Sequence, residues 1–313
     1  MNEPVLGRLS NLFLNGLYFW VGFVMLVLVK IKHNLRGYTS PKPFSVTEVD
    51  RCINYDLLTV EEWLGYLTEY TGIPDYLTGR RVLELGPGSD LGVGLILLSE
   101  GAQQYNAVDA NNLVASVPAD FYRTLFTRLK SKGDVSALES ELDLLNKGMP
   151  VRLNYVSRDD FDLVAALGER RVDIIFSQAA FEHFEDINKT IEQLTRVASE
   201  DAVVVMTVDL QTHSRWIRET DPNNIYRFPF WLYRLFHFPG IPNRVRPQEY
   251  RVAFERNGWT NIAIYPLTTL SEERLRATQP HLFGPFRDEQ SDMEYLTMLL
   301  CARRSTLLKH PPY

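Results

Sequence analysis

At 313 residues, with 45% apolar and 23% charged residues, the chain has room for one large globular domain with additions, and disordered and fibrous classes are excluded. Its 33 basic against 39 acidic residues leave a net charge of −6, so a polyanion is repelled overall and nucleic acid is not expected as a partner. The two cysteines, Cys52 and Cys301, have no metal-ligand spacing and exclude a disulfide framework, which points to a reducing compartment.

From Leu12 to Val29 the chain carries no charge. These 18 residues come close to the roughly 20 needed to cross about 30 Å of hydrocarbon. Tyr18 and Trp20 suit an interfacial level. Lys30, Lys32, His33 and Arg36 follow directly, against Arg8 and the α-amino group before the segment. Residues 1–36 are therefore expected to form an anchor that meets the membrane through residues 12–29, with all that follows on the cytoplasmic side. A cleaved signal peptide fits badly, because Lys30-Ile31-Lys32 stands where a small-x-small cleavage site belongs. A helix lying flat in the interface, or one docked on a soluble cytoplasmic protein, stays open beside a spanning one.

Residues 37–79 read as a Pro-containing linker (Arg36 to Phe44) followed by helix over 46–79. Thr59 has Glu62 three residues on, the capping-box spacing, ahead of an apolar stripe at Trp63, Leu64 and Leu67. Residues 80–303 then alternate strand and helix. Short strands are predicted at 81–85, 105–108, 151–156, 172–177 and 202–208, with helices at 91–100, 117–147 and 185–198 between them. The run Ala202 to Val208 (AVVVMTV) is the kind buried on both faces of a parallel sheet. Residues 209–246 are rich in Arg, Pro and aromatics without a clean period, and mark an insertion or lid on the substrate side. A helix at 248–257 and strands at 262–266 and 295–302 close the domain, ahead of a tail at 304–313. The fold class is α/β: a Rossmann-like, doubly wound sheet of seven strands behind an N-terminal hydrophobic helix.

Ligands of such sheets bind beyond the carboxyl ends of the strands. Here the first strand runs into Glu84-Leu85-Gly86-Pro87-Gly88-Ser89-Asp90. Gly86 and Gly88 allow a ligand to approach the backbone closely. Asp109, 25 residues past Glu84 at the end of the second strand, can accept hydrogen bonds from ribose hydroxyls. A dinucleotide fingerprint would need glycine at position 91, where the chain has leucine, which disfavours a nicotinamide oxidoreductase. Glu84 would also repel a pyrophosphate and suits a positively charged cofactor better.

Val82-Leu83-Glu84-Leu85-Gly86-Pro87-Gly88 resembles motif I of the class I S-adenosylmethionine methyltransferases, and Val108-Asp109 resembles their acidic second-strand end. The run from Phe176 through Ser177 to Glu182-His183-Phe184 is similar to their fourth-strand motif. The resemblance covers roughly residues 80–208 and implies S-adenosylmethionine as cofactor. By it, Glu84, Gly86 and Gly88 surround the methionine part, Asp109 the ribose, and Asp159 or Asp160 the adenine edge, with Ser177 at the cofactor edge. It also implies that the last two strands form an antiparallel hairpin. Asp90 departs from the family's third glycine and points to a wider turn.

Methyl transfer to a hydroxyl needs alignment and a base. His183 follows the fourth strand and His213 the fifth, on the same sheet edge, and histidine titrates near neutrality. His213 is the expected base, oriented by Asp209. Glu182, His183, Asp209 and His213 also loosely resemble the metal site of small-RNA ribose methyltransferases, but no metal is expected. Between Arg215 and Arg256 eight arginines face four acids, so Arg215, Arg244 and Arg246, with Trp216, are expected to hold an anionic acceptor. The pattern of Asp209-Leu210 with His213, and of Asn243-Arg244 with Arg246, is similar to bacterial methyltransferases found with surface-polysaccharide and glycolipid enzymes. The expected reaction is O-methylation of a small or lipid-linked anionic or sugar acceptor. The alternatives are a membrane-tethered binding module without turnover, supported by Asp90, and a quinone or lipid methyltransferase. The sequence sets no oligomeric state.

Overall fold

Seven strands form the sheet: β1 (Arg81–Leu85), β2 (Gln104–Asp109), β3 (Leu153–Ser157), β4 (Val172–Gln178), β5 (Ala198–Asp209), β6 (Trp259–Thr269) and β7 (Tyr295–Arg304). Their order is β3-β2-β1-β4-β5-β7-β6. The first five pair in parallel, and β7 enters antiparallel between β5 and β6. The computed structural model describes residues 3–37, 44–131 and 133–305, without the side chains of residues 3–11 and 36. Most of the expected linker, the Arg8 side chain and the tail beyond residue 305 lie outside that set.

Ten helices are described: α1 (Glu3–Arg36), α2 (Val49–Thr71), α3 (Gly92–Ser99), α4 (Ala119–Leu129), α5 (Ser136–Asn146), α6 (Leu163–Leu167), α7 (Ile187–Val197), α8 (Phe230–Leu235), α9 (Pro247–Arg256) and α10 (Glu272–Thr278). The period-two alternation of the strands sorts them into two layers. Val82, Ile174, Phe176, Val203 and Val205 pack under α2, α3 and α4. Leu83, Leu85, Ile175, Val204 and Met206 pack under α6, α7 and α9. The doubly wound sheet follows directly.

Three local expectations need correction. Thr59 is no cap: it is buried inside α2, whose apolar stripe already begins at Val49 and Ile53, and the capping pair is Ser45 with Glu48, the Ser45 N–H donating to Glu48 Oε2 at 3.0 Å. The single helix expected over 117–147 is two, because Asp134 accepts from the Ser136 N–H at 2.9 Å and starts a new helix after Gly133. Residues 272–278, unassigned from sequence, form α10 behind the Ser271 cap.

α1 does not stand apart from the domain. Asn15 Nδ2 donates to the Ala277 carbonyl at 3.3 Å, and Asn224 Nδ2 donates to the Tyr18 carbonyl at 2.9 Å. Phe19 meets Phe228, Phe23 meets Phe236, and the His33 ring stacks on Phe238 at 4.5 Å. Lys30 donates to the His237 carbonyl. From Asn15 to His33 the helix therefore lies against residues 224–277 over about 27 Å, nearly the whole hydrocarbon thickness. By length and composition Leu12–Leu35 is long and apolar enough to cross a membrane, and 11% of it is buried against the domain. The opposite face, at Leu17, Trp20, Val24, Leu28, Ile31 and Leu35, is an exposed apolar stripe at helical spacing.

Candidate functional site

The loop after β1 is built for close approach. Gly86 has φ +70°, and a Cβ there would lie 2.9 Å from that of Ala180, so the loop presses against the start of the β4 loop. Beneath it Glu84 is buried, and Tyr105 Oη donates to its Oε2 at 2.5 Å. Burial, with the nearby Asp90 and Asp109 carboxylates, pushes Glu84 up to about 8. Asp56, reaching in from α2, lies far above the usual carboxylate range through burial and the charges of Asp90 and Glu84. Asp90 rises to about 6, chiefly by burial. None of these three acids has a basic ion-pair partner among the described residues. Buried acids without a basic partner favour a cation beside them.

Asp90, the departure from the family glycine, turns back and accepts from the Gly92 N–H at 2.8 Å, which starts α3. Asp109 stands where the sequence placed it, accepting from the N–H groups of Gly88 at 3.3 Å and Asn111 at 2.8 Å; burial raises it despite both. Asp160 is held by Arg158 through two hydrogen bonds of 2.9 and 2.7 Å, while Asp159 beside it, exposed like Asp160, is not in that pair. Ser177 is fully buried and donates to the Leu85 carbonyl at 3.3 Å. That bond stitches β4 to β1, so the Ser177 hydroxyl, expected at the cofactor edge, is engaged within the sheet.

The β4 and β5 loops converge as expected. Asn243 pins the first: its N–H donates to the Glu182 carbonyl at 2.6 Å, and its Nδ2 to those of Phe181 and Phe184. This holds Glu182 in the interior, 2% exposed, with neither carboxylate oxygen hydrogen-bonded. The Nδ1 of His183 is likewise buried without a partner. The His183 and His213 rings lie 4.9 Å apart, and His213 Nε2 is 3.9 Å from Glu182 Oε1. Burial, then the charge of His213, lowers His183 to about 4; burial also lowers His213, so both are neutral at pH 7. Asp209 does not orient His213 by a hydrogen bond. The pair is 3.7 Å apart, and Arg218 donates to Asp209 Oδ2 at 2.6 Å. Neither Arg218 nor the burial of Glu182 is signalled by spacing in the sequence.

The arginine-rich wall resolves into framework. Arg244 is buried, donates to the carbonyls of Ile225 and Phe228, and stacks on Tyr233 at 4.2 Å. Arg246, also buried, donates to the carbonyls of Ser291, Asp292 and Tyr295 and to Tyr226 Oη. Where an acceptor anion was expected, these donors meet backbone carbonyls, those of Arg244 within the 209–246 segment and those of Arg246 at residues 291–295. Arg227 pairs with Asp221 at 2.7 Å, both side chains 1% exposed. Arg215 and Trp216, two and three residues past His213, stay exposed, Trp216 at 85%.

A family described as a methyltransferase domain matches residues 63–264. No curated protein matches the sequence. Among solved structures the chain is similar to the CurJ carbon methyltransferase, at 13% identity and TM-score 0.43, covering 79% of this chain and 54% of that one. It is similar to an S-adenosylmethionine dependent methyltransferase from Mesorhizobium loti at 14% identity and TM-score 0.42, covering 78% and 100%. A third is phosphoethanolamine N-methyltransferase 2 from Haemonchus contortus, at 15% identity and TM-score 0.44, covering 81% and 53%. The chain thus spans about half the length of the first and third.

Proposed function

This chain belongs to the methyltransferase domain family, and from that premise we propose that it methylates an oxygen of a small or lipid-linked acceptor at the Glu182, His183 and His213 cluster, with S-adenosylmethionine as donor. The donor supplies a methyl on a sulfonium: the C–O bond forms as the C–S pair returns to sulfur, giving S-adenosylhomocysteine, and the acceptor's proton must leave. Glu84 and the Gly86–Gly88 loop hold the positive methionine end, Asp109 the ribose, and Asp159 the adenine edge. The unpaired acids beneath the loop fit that charge.

The observation that carries this assignment is the close approach of Gly86 to Ala180, which supports reading the segment that carries Glu182 and His183 as the acceptor side of the cofactor loop. His213 closes the cluster from β5, Arg215 meets an acceptor's negative charge, and Trp216 covers it. Incubation with labelled S-adenosylmethionine and membrane or glycolipid extract, with mass identification of the product, should give an O-methylated species. Turnover of His183→Ala and His213→Ala each within threefold of wild type would end the assignment of the cluster.

A second acceptor class, an apolar lipid or quinone, is favoured by a separate observation. The arginines at 244 and 246 are committed internally, whereas Phe230, Trp231 and Leu235 expose apolar surface on the same lid that α1 borders. With its apolar stripe, α1 then rests in the cytoplasmic interface of a membrane and delivers the lid to lipid-borne acceptors. Alkaline carbonate should release the protein from membranes, and anionic liposomes should recapture it; retention through carbonate would restore the span.

A further inference from the structure

We propose that Glu182, His183 and His213 bind a first-row divalent cation whose open positions take the acceptor oxygen, a claim that rests on the proposed oxygen methylation only for the identity of that last ligand. One potential ligand atom from each of the three lies within 4.8 Å of the other two. Glu182 presents two buried, unpartnered oxygens, and His183 a buried, unpartnered Nδ1. An unpaired carboxylate is among the costliest groups to bury, and beyond the backbone N–H groups of Glu182 and Asp209, which approach it without completing a hydrogen bond, nothing described around it compensates that charge. Bonds of about 2.1 Å to such an ion set neighbouring ligand atoms roughly 3 to 4 Å apart. The 3.9 Å between His213 Nε2 and Glu182 Oε1 already falls in that range, and a His183 nitrogen lies within 4.8 Å of a ligand atom of each.

The donor set chooses the ion. Two imidazoles and one carboxylate suit manganese, iron, cobalt or zinc better than magnesium or calcium, which want all-oxygen ligands. Three protein ligands leave positions open, the arrangement of a reactive rather than a structural site. Asp209 stays outside the set, since Arg218 neutralises it at 2.6 Å. A hydroxyl bound to the cation becomes acidic, so its proton passes to solvent as the C–O bond forms and the C–S pair returns to sulfur. His213 then acts as a ligand, and no imidazole needs to take the proton.

The full chain in detergent, stripped by chelator, is titrated with cobalt(II) and followed by visible absorption, with zinc competition. One equivalent should bind per chain, and Glu182→Gln and His213→Ala should each weaken binding by roughly 10- to 100-fold. Calorimetric S-adenosylmethionine binding should stay intact in both, as a check on folding. Absence of saturable one-equivalent binding, or equal affinity in wild type and both variants, overturns the site. If cobalt fails to bind while His213→Ala still abolishes turnover, the cation is lost and the methylation assignment stands. Stoichiometric binding without any methylated product leaves the site and removes the methylation assignment.

Discussion

The floor of the β1 loop and the lid over residues 209–246 are both rich in buried charge, and they treat it in opposite ways. Under the loop, Glu84, Asp56 and Asp90 face one another without a base. In the lid, Asp221 has Arg227, Asp209 has Arg218, and Arg244 and Arg246 are turned to backbone carbonyls. Charge matched inside the fold is framework; charge left unmatched is a demand on a ligand. Glu182 follows the first pattern although it lies on the lid side, which is why it, and not the arginines, marks the chemistry there.

The most drastic way to break this contrast is to unpair the lid. Arg227→Met leaves Asp221 buried with Asn224 as its remaining side-chain partner and should cost about 3–5 kcal/mol in denaturant unfolding. The double variant with Asp221→Asn should recover most of that. A single-variant cost below about 1 kcal/mol would show that the pair is not framework.

The floor answers to pH instead. With Glu84 near 8 in the free protein, a cationic ligand must find it ionised, so each pH unit below 8 should weaken S-adenosylmethionine binding roughly tenfold. The sign follows from a raised acid: protonated at pH 6, ionised only as pH climbs through 8. Calorimetry in buffers of different ionisation enthalpy should count about one proton released at pH 6, falling to about half at pH 8, and Glu84→Gln should bind weakly with no slope. A flat wild-type profile would mean that Glu84 does not face the sulfonium end.

A smaller pair of effects separates framework arginine from ligand arginine. Lysine cannot reproduce the fork that Arg246 sends to Ser291, Tyr295 and Tyr226, so Arg246→Lys should lose roughly 1–3 kcal/mol of stability and keep acceptor KM where still folded. Arg215→Ala should do the reverse, raising acceptor KM about tenfold with an unchanged unfolding midpoint.

The sheet was legible because its determinants are local: apolar strand runs, the glycine turn and the carboxylates at strand ends all sit within a few residues of the elements they define. The pairing of arginines was not. Whether Arg244 meets a phosphate or the Phe228 carbonyl depends on segments 16 residues apart folding back on one another, and the composition is the same either way. The floor shows the same limit, since Asp56 comes from α2 and carries no motif. α1 shows a related limit: hydropathy reads its length and its apolar face at Trp20 and Leu28, but not that Gly22 lies against Asn224.

That last contact offers the mildest test, and it bears on how the lid and α1 are joined. A Cβ at Gly22 would fall 1.9 Å from Asn224 Oδ1, and Asn224 also bonds the Tyr18 carbonyl and Asp221. Gly22→Leu must therefore push α1 away from the lid while leaving the sheet untouched, because the two sheet cores contain no α1 residue. Global stability should fall by only about 1 kcal/mol, whereas amide exchange should quicken across residues 224–238 and stay unchanged at 82–98. Unaltered exchange in the lid would mean that α1 does not brace it, and the way would reopen to a helix that crosses the membrane on its own. Faster exchange confined to residues 224–238 would instead tie the order of that segment to its contact with α1.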